Sequence, residues 1–387
     1  MTAAIIGATL TAGFAQETAR VETKSFESEY FPFPREIFIY TPDSYDEATE
    51  NDYDVIYVFD SQHRSRFDLV HSLMHYGIQQ DEENPLSYIV VGITSPDIPA
   101  YNHYRDLDFL PQPKHSEIEY GPYNSANFKK FLKNEVIPYI NDNYRSTHHS
   151  LAVGHSLGAS FVLDELMTED MFDDYIALSP NLAWDEDRFA KDLIDYHFNP
   201  AKPRFIYMTM ANESENTGWP SEWRPAWDKV KNHFENPELP DNVKMTIKEY
   251  PEYSHNTSYH HALTDALQDY AAYCHDYSAG DTTLYPVHLE VSAVRLDGDV
   301  YVTGNQPALA DWNPEGVKMT KIADNTYALD LELTLPAEFK FTQGSWETQL
   351  FMKNATGGNL RITDPERADK HYHSVIPFPV IPVVTGV

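Results

Sequence analysis

The chain has 387 residues, with 28 Lys and Arg against 60 Asp and Glu, a formal net charge of −32 at pH 7. So negative a surface repels nucleic acid and anionic membranes, which excludes both as partners and says nothing about the fold. The length suits about two to three domains at ~150 residues each, and the single cysteine, Cys274, excludes an intrachain disulfide and a cysteine-built zinc site.

Residues 3–15 are small and apolar, and Gly13 and Ala15 form a small-x-small signal before Gln16. Although a basic n-region is missing, residues 1–20 read as the remnant of a secretory signal peptide, which predicts a periplasmic or secreted protein; the other reading is an unstructured extension. No later run reaches the ~20 apolar residues that a membrane span needs.

From about 21 to 280 apolar strand candidates alternate with helical segments. Residues 36–40, 53–59, 88–93, 150–153, 175–179, 204–210 and 243–247 read as strands. Several are unbroken apolar runs, as expected of strands buried on both faces of a mostly parallel sheet. Helical periodicity covers 125–144 and 258–274. This is an α/β layout.

The most informative segment runs from Leu151 through Gly154-His155-Ser156-Leu157-Gly158 into Ala159 and Ser160. A short apolar strand passing through Gly-x-Ser-x-Gly into a helix is a nucleophile elbow, with Ser156 exposed at the strand end. A serine hydroxyl is a weak nucleophile, so it needs an imidazole base and a carboxylate to orient that base. In the chain order Ser, acid, His, the acid falls in Asn212-Glu213-Ser214-Glu215 after the strand at 204–210, with Glu213 leading and Glu215 the alternative. The base falls in Tyr253-Ser254-His255-Asn256. Any one of 17 histidines is weak evidence by itself; the place of His255 after a late strand singles it out. An oxyanion would be held by the Leu157 amide and by that of Ser61 or Gln62, after the early strand at 53–59.

Arg105 reads either as a clamp for a substrate carboxylate or phenolate, or as a structural ion pair with Asp106, Asp108 or another acid. His155 and Trp184, and Trp219, Trp223 and Trp227 in an aromatic-rich stretch, read as pocket walls or as packing residues. Adjacent pairs point apart on regular elements, so His148 with His149 and His260 with His261 do not converge on a metal. No metal is assigned.

These residues resemble the putative-esterase branch of the α/β hydrolases, which contains esterase D, siderophore trilactone esterases and some feruloyl and acetyl esterases. The marks are Val55-Ile56-Tyr57-Val58-Phe59-Asp60, Val90-Val91-Gly92-Ile93-Thr94, Tyr104-Arg105-Asp106-Leu107-Asp108-Phe109-Leu110-Pro111, the elbow, residues 175–184, and the Asn212-Glu213 and Ser254-His255 loops. The resemblance spans about 21–277. It implies an α/β-hydrolase fold and a serine esterase without metal or cofactor, with Ser156, Glu213 and His255 as its triad. Asp60-Ser61 stands where that family commonly has Asp-Gly.

Past 281 the texture changes to short alternating runs between Gly, Pro and Asn turns, which predicts an all-β sandwich over 281–387 ending in a Pro-rich tail. Its residues 300–305, 309–314 and 338–347 resemble starch-binding-type carbohydrate modules, which implies that Trp312 and Trp346 stack on sugars with Lys340 beside them. Otherwise the sandwich buttresses the hydrolase or mediates association. The whole chain thus reads as a serine carboxylesterase acting on a siderophore-like lactone, a feruloyl or acetyl ester on polysaccharide, or another small ester. The alternatives are a glycan-binding protein with a relic hydrolase domain and an acyltransferase on the same fold.

Overall fold

The computed structural model describes residues 20–376, apart from segments at 43–44, 47–48, 81–87, 97–103, 116–124, 236–238, 277–281, 294–295, 297, 353–358 and 364. The leader-like segment, the transition near 281 and the Pro-rich tail therefore lie outside the described residues.

The first half of the fold runs β1 (Arg20–Phe26), β2 (Arg35–Thr41), β3 (Tyr53–Val58), α1 (Arg64–Gln80), β4 (Tyr88–Ile93), α2 (Tyr104–Phe109), α3 (Ser125–Phe131), α4 (Ile137–Asn143), β5 (Ser146–His155) and α5 (Leu157–Thr168). It continues with β6 (Asp174–Leu178), α6 (Trp184–Ile194), β7 (Arg204–Ala211), α7 (Trp223–Phe234), β8 (Val243–Tyr250) and α8 (Ser258–Asp276). The eight strands make one mixed sheet in the order β1-β2-β4-β3-β5-β6-β7-β8. β1 and β2 run antiparallel to their neighbours, and the pairings from β4 through β8 are parallel.

Every residue of β3, β4, β6 and β7 is buried. The reason is a core on each face: one cluster joins Val55, Tyr57 and Ile89 to helices α2 to α7, and the other joins Ile56, Val58 and Val90 to α1 and α8. This explains the unbroken apolar runs in the sequence. β1 carries no such run because it is a half-exposed antiparallel edge. The expected helix at 125–144 forms, but it widens by a turn at Leu132–Val136, just ahead of Pro138. Proline has no N–H to donate to the preceding turn, and the wider turn accommodates that loss.

β3 lies between β4 and β5, so the connections leaving its end and that of β5 meet at a switch in strand order. Open α/β sheets place their ligand crevice at such a point, beyond the carboxyl ends of the strands.

The remaining strands are β9 (Tyr285–Ala293), β10 (Tyr301–Gly304), β11 (Val317–Lys318), β12 (Thr320–Ala323), β13 (Thr326–Leu333), β14 (Ala337–Thr342), β15 (Phe351–Met352), β16 (Leu360–Ile362) and β17 (Asp369–Ile376). They form a four-stranded sheet, β11-β10-β14-β16, and a five-stranded sheet, β12-β13-β9-β17-β15. The two share a core of their own around Leu289, Val302, Phe339 and Phe341.

Candidate active site

At the end of β5 the chain reverses through Ser156, whose φ of 60° and ψ of −125° lie outside the ordinary regions for a side-chain-bearing residue. Its amide donates to the Leu178 carbonyl at 2.9 Å, which anchors the turn to β6. Space demands glycine at 154 and leaves little room at 158. A Cβ on Gly154 would stand 2.2 Å from the Gly158 carbonyl oxygen, and one on Gly158 would stand 3.0 Å from Asp60 Oδ2. Ser156 is left partly exposed at the start of α5, where first-turn amides have no partner within the helix.

Two later loops meet each other, and one of them touches the residue before this turn, with His155 Nε2 3.0 Å from the His255 carbonyl oxygen. β7 delivers Glu213, which is buried, and the loop between β8 and α8 delivers His255. The Asn212 amide donates to the Tyr253 carbonyl at 2.9 Å, tying the loops together. His255 Nδ1 bonds Glu213 Oε1. Glu215 instead opens an exposed turn at Glu215–Thr217, so the geometry separates the two carboxylates that the sequence left open.

The connection after β3 is built around Asp60, a fully buried residue with φ 64°. Its carboxylate accepts a two-point contact from Arg105 Nε and Nη2, a bond from Arg66 Nη1 at 3.1 Å and one from Gln62 Nε2 at 2.9 Å. Arg105 is thus in a structural ion pair, with Asp60 as its acid, while Asp108 is claimed by Arg35. Sequence reading missed Asp60 and Arg66 as part of this cluster; the signal available was an acid directly after the strongest early strand. The Ser61 expectation is corrected: its amide donates to the Ile93 carbonyl at 3.0 Å and its hydroxyl to the Val58 carbonyl at 2.7 Å. Ser61 continues the ladder toward β4, so its N–H is spent, and Gln62 remains of the two candidate donors.

His155 is corrected as well. It is only 2% exposed and turns toward His255, with its Nε2 3.0 Å from the His255 carbonyl oxygen. Trp184 is buried in the core, as is Trp227, whose Nε1 donates to Glu249 at 3.1 Å, so both pack rather than line a pocket. Trp219 and Trp223 are half-buried beside His255. The Trp219 ring lies 4.4 Å from that of His255 and 4.7 Å from that of Trp223, and Trp223 lies 6.0 Å from His255.

The histidine pairs behave differently from each other. His149 sits between Asp54 and Asp174, whereas the rings of His260 and His261 pack 3.8 Å apart because His261 stacks on Tyr253. That packing differs from the expected divergence of neighbours. Among the described residues no group of three or more His, Cys, Asp or Glu is placed to hold a metal ion, and no helix is long and apolar enough to cross a membrane. In the C-terminal sheets Trp346 is 41% exposed, Trp312 is half-buried at the end of a short turn, and Lys340 lies on β14.

Residues 28–270 match the family described as Putative esterase, and the chain belongs to that family. It is therefore an esterase on an α/β-hydrolase-like fold with a mixed sheet. Among solved structures it is similar to an IroE-like serine hydrolase from Shewanella oneidensis, at 24% identity over 68% of this chain and 82% of that one, with a TM-score of 0.53. It is also similar to the siderophore hydrolase EstA from Aspergillus nidulans, at 17% identity over 70% and 99% of the two chains and a TM-score of 0.55. A third is the BES protein from Bacillus cereus, at 20% identity over 69% and 99% with a TM-score of 0.51. At these identities the likeness is one of fold. No curated protein matches the chain.

Proposed function

We propose that this esterase is a serine carboxylesterase that works through an acyl-enzyme, exported to the periplasm or beyond. The observation that carries the reading is the bond from His255 Nδ1 to the buried Glu213, on a loop that the neighbour of Ser156, His155, touches at the His255 carbonyl, with Ser156 on its strained turn. In this reading His255 takes the Ser156 proton as Oγ attacks the ester carbonyl, and Glu213 fixes the imidazole tautomer and stabilises the imidazolium. The amides of Leu157 and Gln62 receive the oxyanion. His255 then gives its proton to the leaving alcohol, and water resolves the acyl-enzyme by the same steps in reverse.

The half-buried Trp219 and Trp223 stand beside the base, where the departing or acyl group must pass. Indole faces there favour a flat or extended apolar group over acetyl alone. The family, with its feruloyl and siderophore ester hydrolases, accommodates such substrates. We read the C-terminal sheets as a β-sandwich that buttresses the catalytic unit, a role supported by the ion pairs joining the two.

The test is hydrolysis of p-nitrophenyl esters of graded acyl length by wild type, Ser156→Ala and His255→Ala. Turnover by the wild type that is lost in both variants is the expected result. Equal turnover in Ser156→Ala would sink the serine mechanism.

A further inference from the structure

His155 stands outside the triad and, being buried, outside any contact with substrate. Its surroundings are nevertheless specific. The His255 carbonyl can only accept a hydrogen bond, so the His155 Nε2 at 3.0 Å from it carries a proton and donates. Nδ1 of the same ring is buried and has no hydrogen-bond partner among the described residues. Burial, the Arg66 guanidinium and the neighbouring His255 together hold this imidazole well below its ordinary pKa, with Arg105 adding to the effect. The ring is consequently neutral, in the Nε2–H tautomer, with one nitrogen used and the other left without a partner among the described residues.

A residue selected only to fill this space would be Phe or Leu, which orphans no polar atom, whereas an unpaired buried acceptor costs stability. The cost has a counterpart in where the bond lands. His155 is the last residue of β5 and immediately precedes the nucleophile, while the carbonyl it holds belongs to the base itself. One N–H···O bond therefore sets the strand end that carries Ser156 against the loop that carries His255. The Ser258 hydroxyl donates to the same carbonyl at 3.0 Å, which fixes it from the helix side.

Neutrality matters as much as the bond. The His155 and His255 rings are 4.5 Å apart, with Tyr259 closing the far side of His155 at 5.2 Å. When His255 takes up a proton in the reaction, a charged His155 at that distance would oppose it, and a neutral one does not.

We propose that His155 is a positioning residue, whose neutral Nε2–H donor pins the His255 backbone at the distance and angle from which its ring serves Ser156. The proposal rests on the serine-esterase reading, and its test separates the two. Nitrogen-15 NMR of histidine-labelled wild type reads the tautomer without any assay of activity. The expected result is a protonated Nε2 and an unprotonated Nδ1 for His155 at pH values above the ordinary histidine pKa of about 6.5. An imidazolium there, or the Nδ1–H tautomer, would overturn the proposal even if the enzyme is a serine esterase.

Kinetics with p-nitrophenyl acetate supply the second arm. His155→Leu, which removes the donor, is expected to lower kcat by about 10²-fold with little change in KM, the scale of a misplacement of about 1 Å in an active site. His155→Gln puts an amide N–H near the Nε2 position and is expected to recover most of that loss. Unchanged kcat in a folded His155→Leu, a loss confined to KM, or equal losses in the Leu and Gln variants would each refute positioning by this bond. Wild-type turnover no higher than that of Ser156→Ala would instead refute the underlying serine mechanism, and the NMR result would still decide the tautomer.

Discussion

Glu213 meets His255 across 42 residues of chain, and it does so as a buried carboxylate. In the proposed mechanism its contribution is electrostatic as well as geometric: an amide at the same place could bond Nδ1 in either orientation and would carry no charge against the imidazolium. Glu213→Gln is expected to keep the fold and lower kcat by about 10⁴-fold, as loss of the acid does in a serine triad. Glu215→Gln, on the exposed turn, is expected to leave kcat within about twofold of wild type, inside the ordinary scatter of surface substitutions. Steady-state kinetics on p-nitrophenyl acetate checks both, and a larger loss in the Glu215 variant would reverse the assignment. At this scale the sequence located turns and loops that follow strands: the Glu213 and His255 loops that it singled out are bonded to each other in the fold, and Ser156 sits on the strained turn. The Asp60 cluster was only partly readable: an acid directly after the strand at 53–59 was visible, but its partner Arg105 lies 45 positions away and any of many acids could have served it. The Ser61 amide was misread for a related reason: sequence shows where a loop begins, and only the ladder to Ile93 shows that its first amide is already used.

The loop that carries Glu213 also presents the tryptophan beside His255, and its local chemistry explains how. The Ser214 amide donates to Thr217 Oγ1 at 3.0 Å, and that hydroxyl lies 2.9 Å from both the Asn212 and Ser214 carbonyls. Gly218 follows at φ 86°, a value that costs glycine nothing, and Trp219 returns its amide to the Ser214 carbonyl at 3.2 Å. Thr217 is thus the peg on which the spacing between Glu213 and Trp219 hangs. Thr217→Ala is expected to destabilise the protein by about 1 kcal/mol, the size of a lost capping interaction. Its kinetic signature is expected in KM for aryl-acyl esters, raised several-fold, with KM for acetyl esters unchanged; a uniform fall in kcat would mean that the turn serves the acid and not the indole. Other elements show why pattern alone reads some segments better than others. The doubly buried strands announced themselves as apolar runs, while β1, RVETKSF on a half-exposed edge, has no period strong enough to detect. The widened turn before Pro138 was legible in principle, since proline inside a helical pattern predicts a disturbance there.

The C-terminal sheets meet the hydrolase at the starts of its strands, the end opposite Ser156. Asp54 in β3 is 3% exposed and pairs with Arg361 of β16 at 3.1 Å, and Asp52 just before it pairs with Lys370 of β17 at 2.9 Å and with Arg367. Lys370, 1% exposed, also donates to the Glu50 carbonyl at 2.9 Å. Removing one member of such a pair strands the other as a buried charge, so Arg361→Ala is expected to cost about 3–5 kcal/mol while leaving kcat/KM of the folded enzyme unchanged. A loss of activity without a loss of stability would contradict the buttress. The same interface sets a pH dependence. His149 of β5 lies between Asp54 at 3.6 Å and Asp174 of β6 at 3.2 Å, with Arg361, Cys274, Tyr88 and Tyr270 also around Asp54. Burial works against its charge, but Asp174 and then Asp54 outweigh burial and hold the imidazole pKa well above its usual value. A group raised on folding contributes fully below its unfolded pKa, about 6.5 for histidine, and loses that contribution as pH rises through the folded value. Asp54 has the opposite sign. Burial raises it, yet Arg361 and His149 together hold it below the ordinary carboxylate range, so its contribution is present above about pH 4 and lost as pH falls through the folded pKa. Thermal unfolding followed against pH should therefore show stability declining on the alkaline side of about pH 6.5 in wild type. His149→Gln, which cannot titrate, should be less stable at neutral pH and show a flatter alkaline decline; an unchanged slope in that variant would mean that the interface charge is set elsewhere.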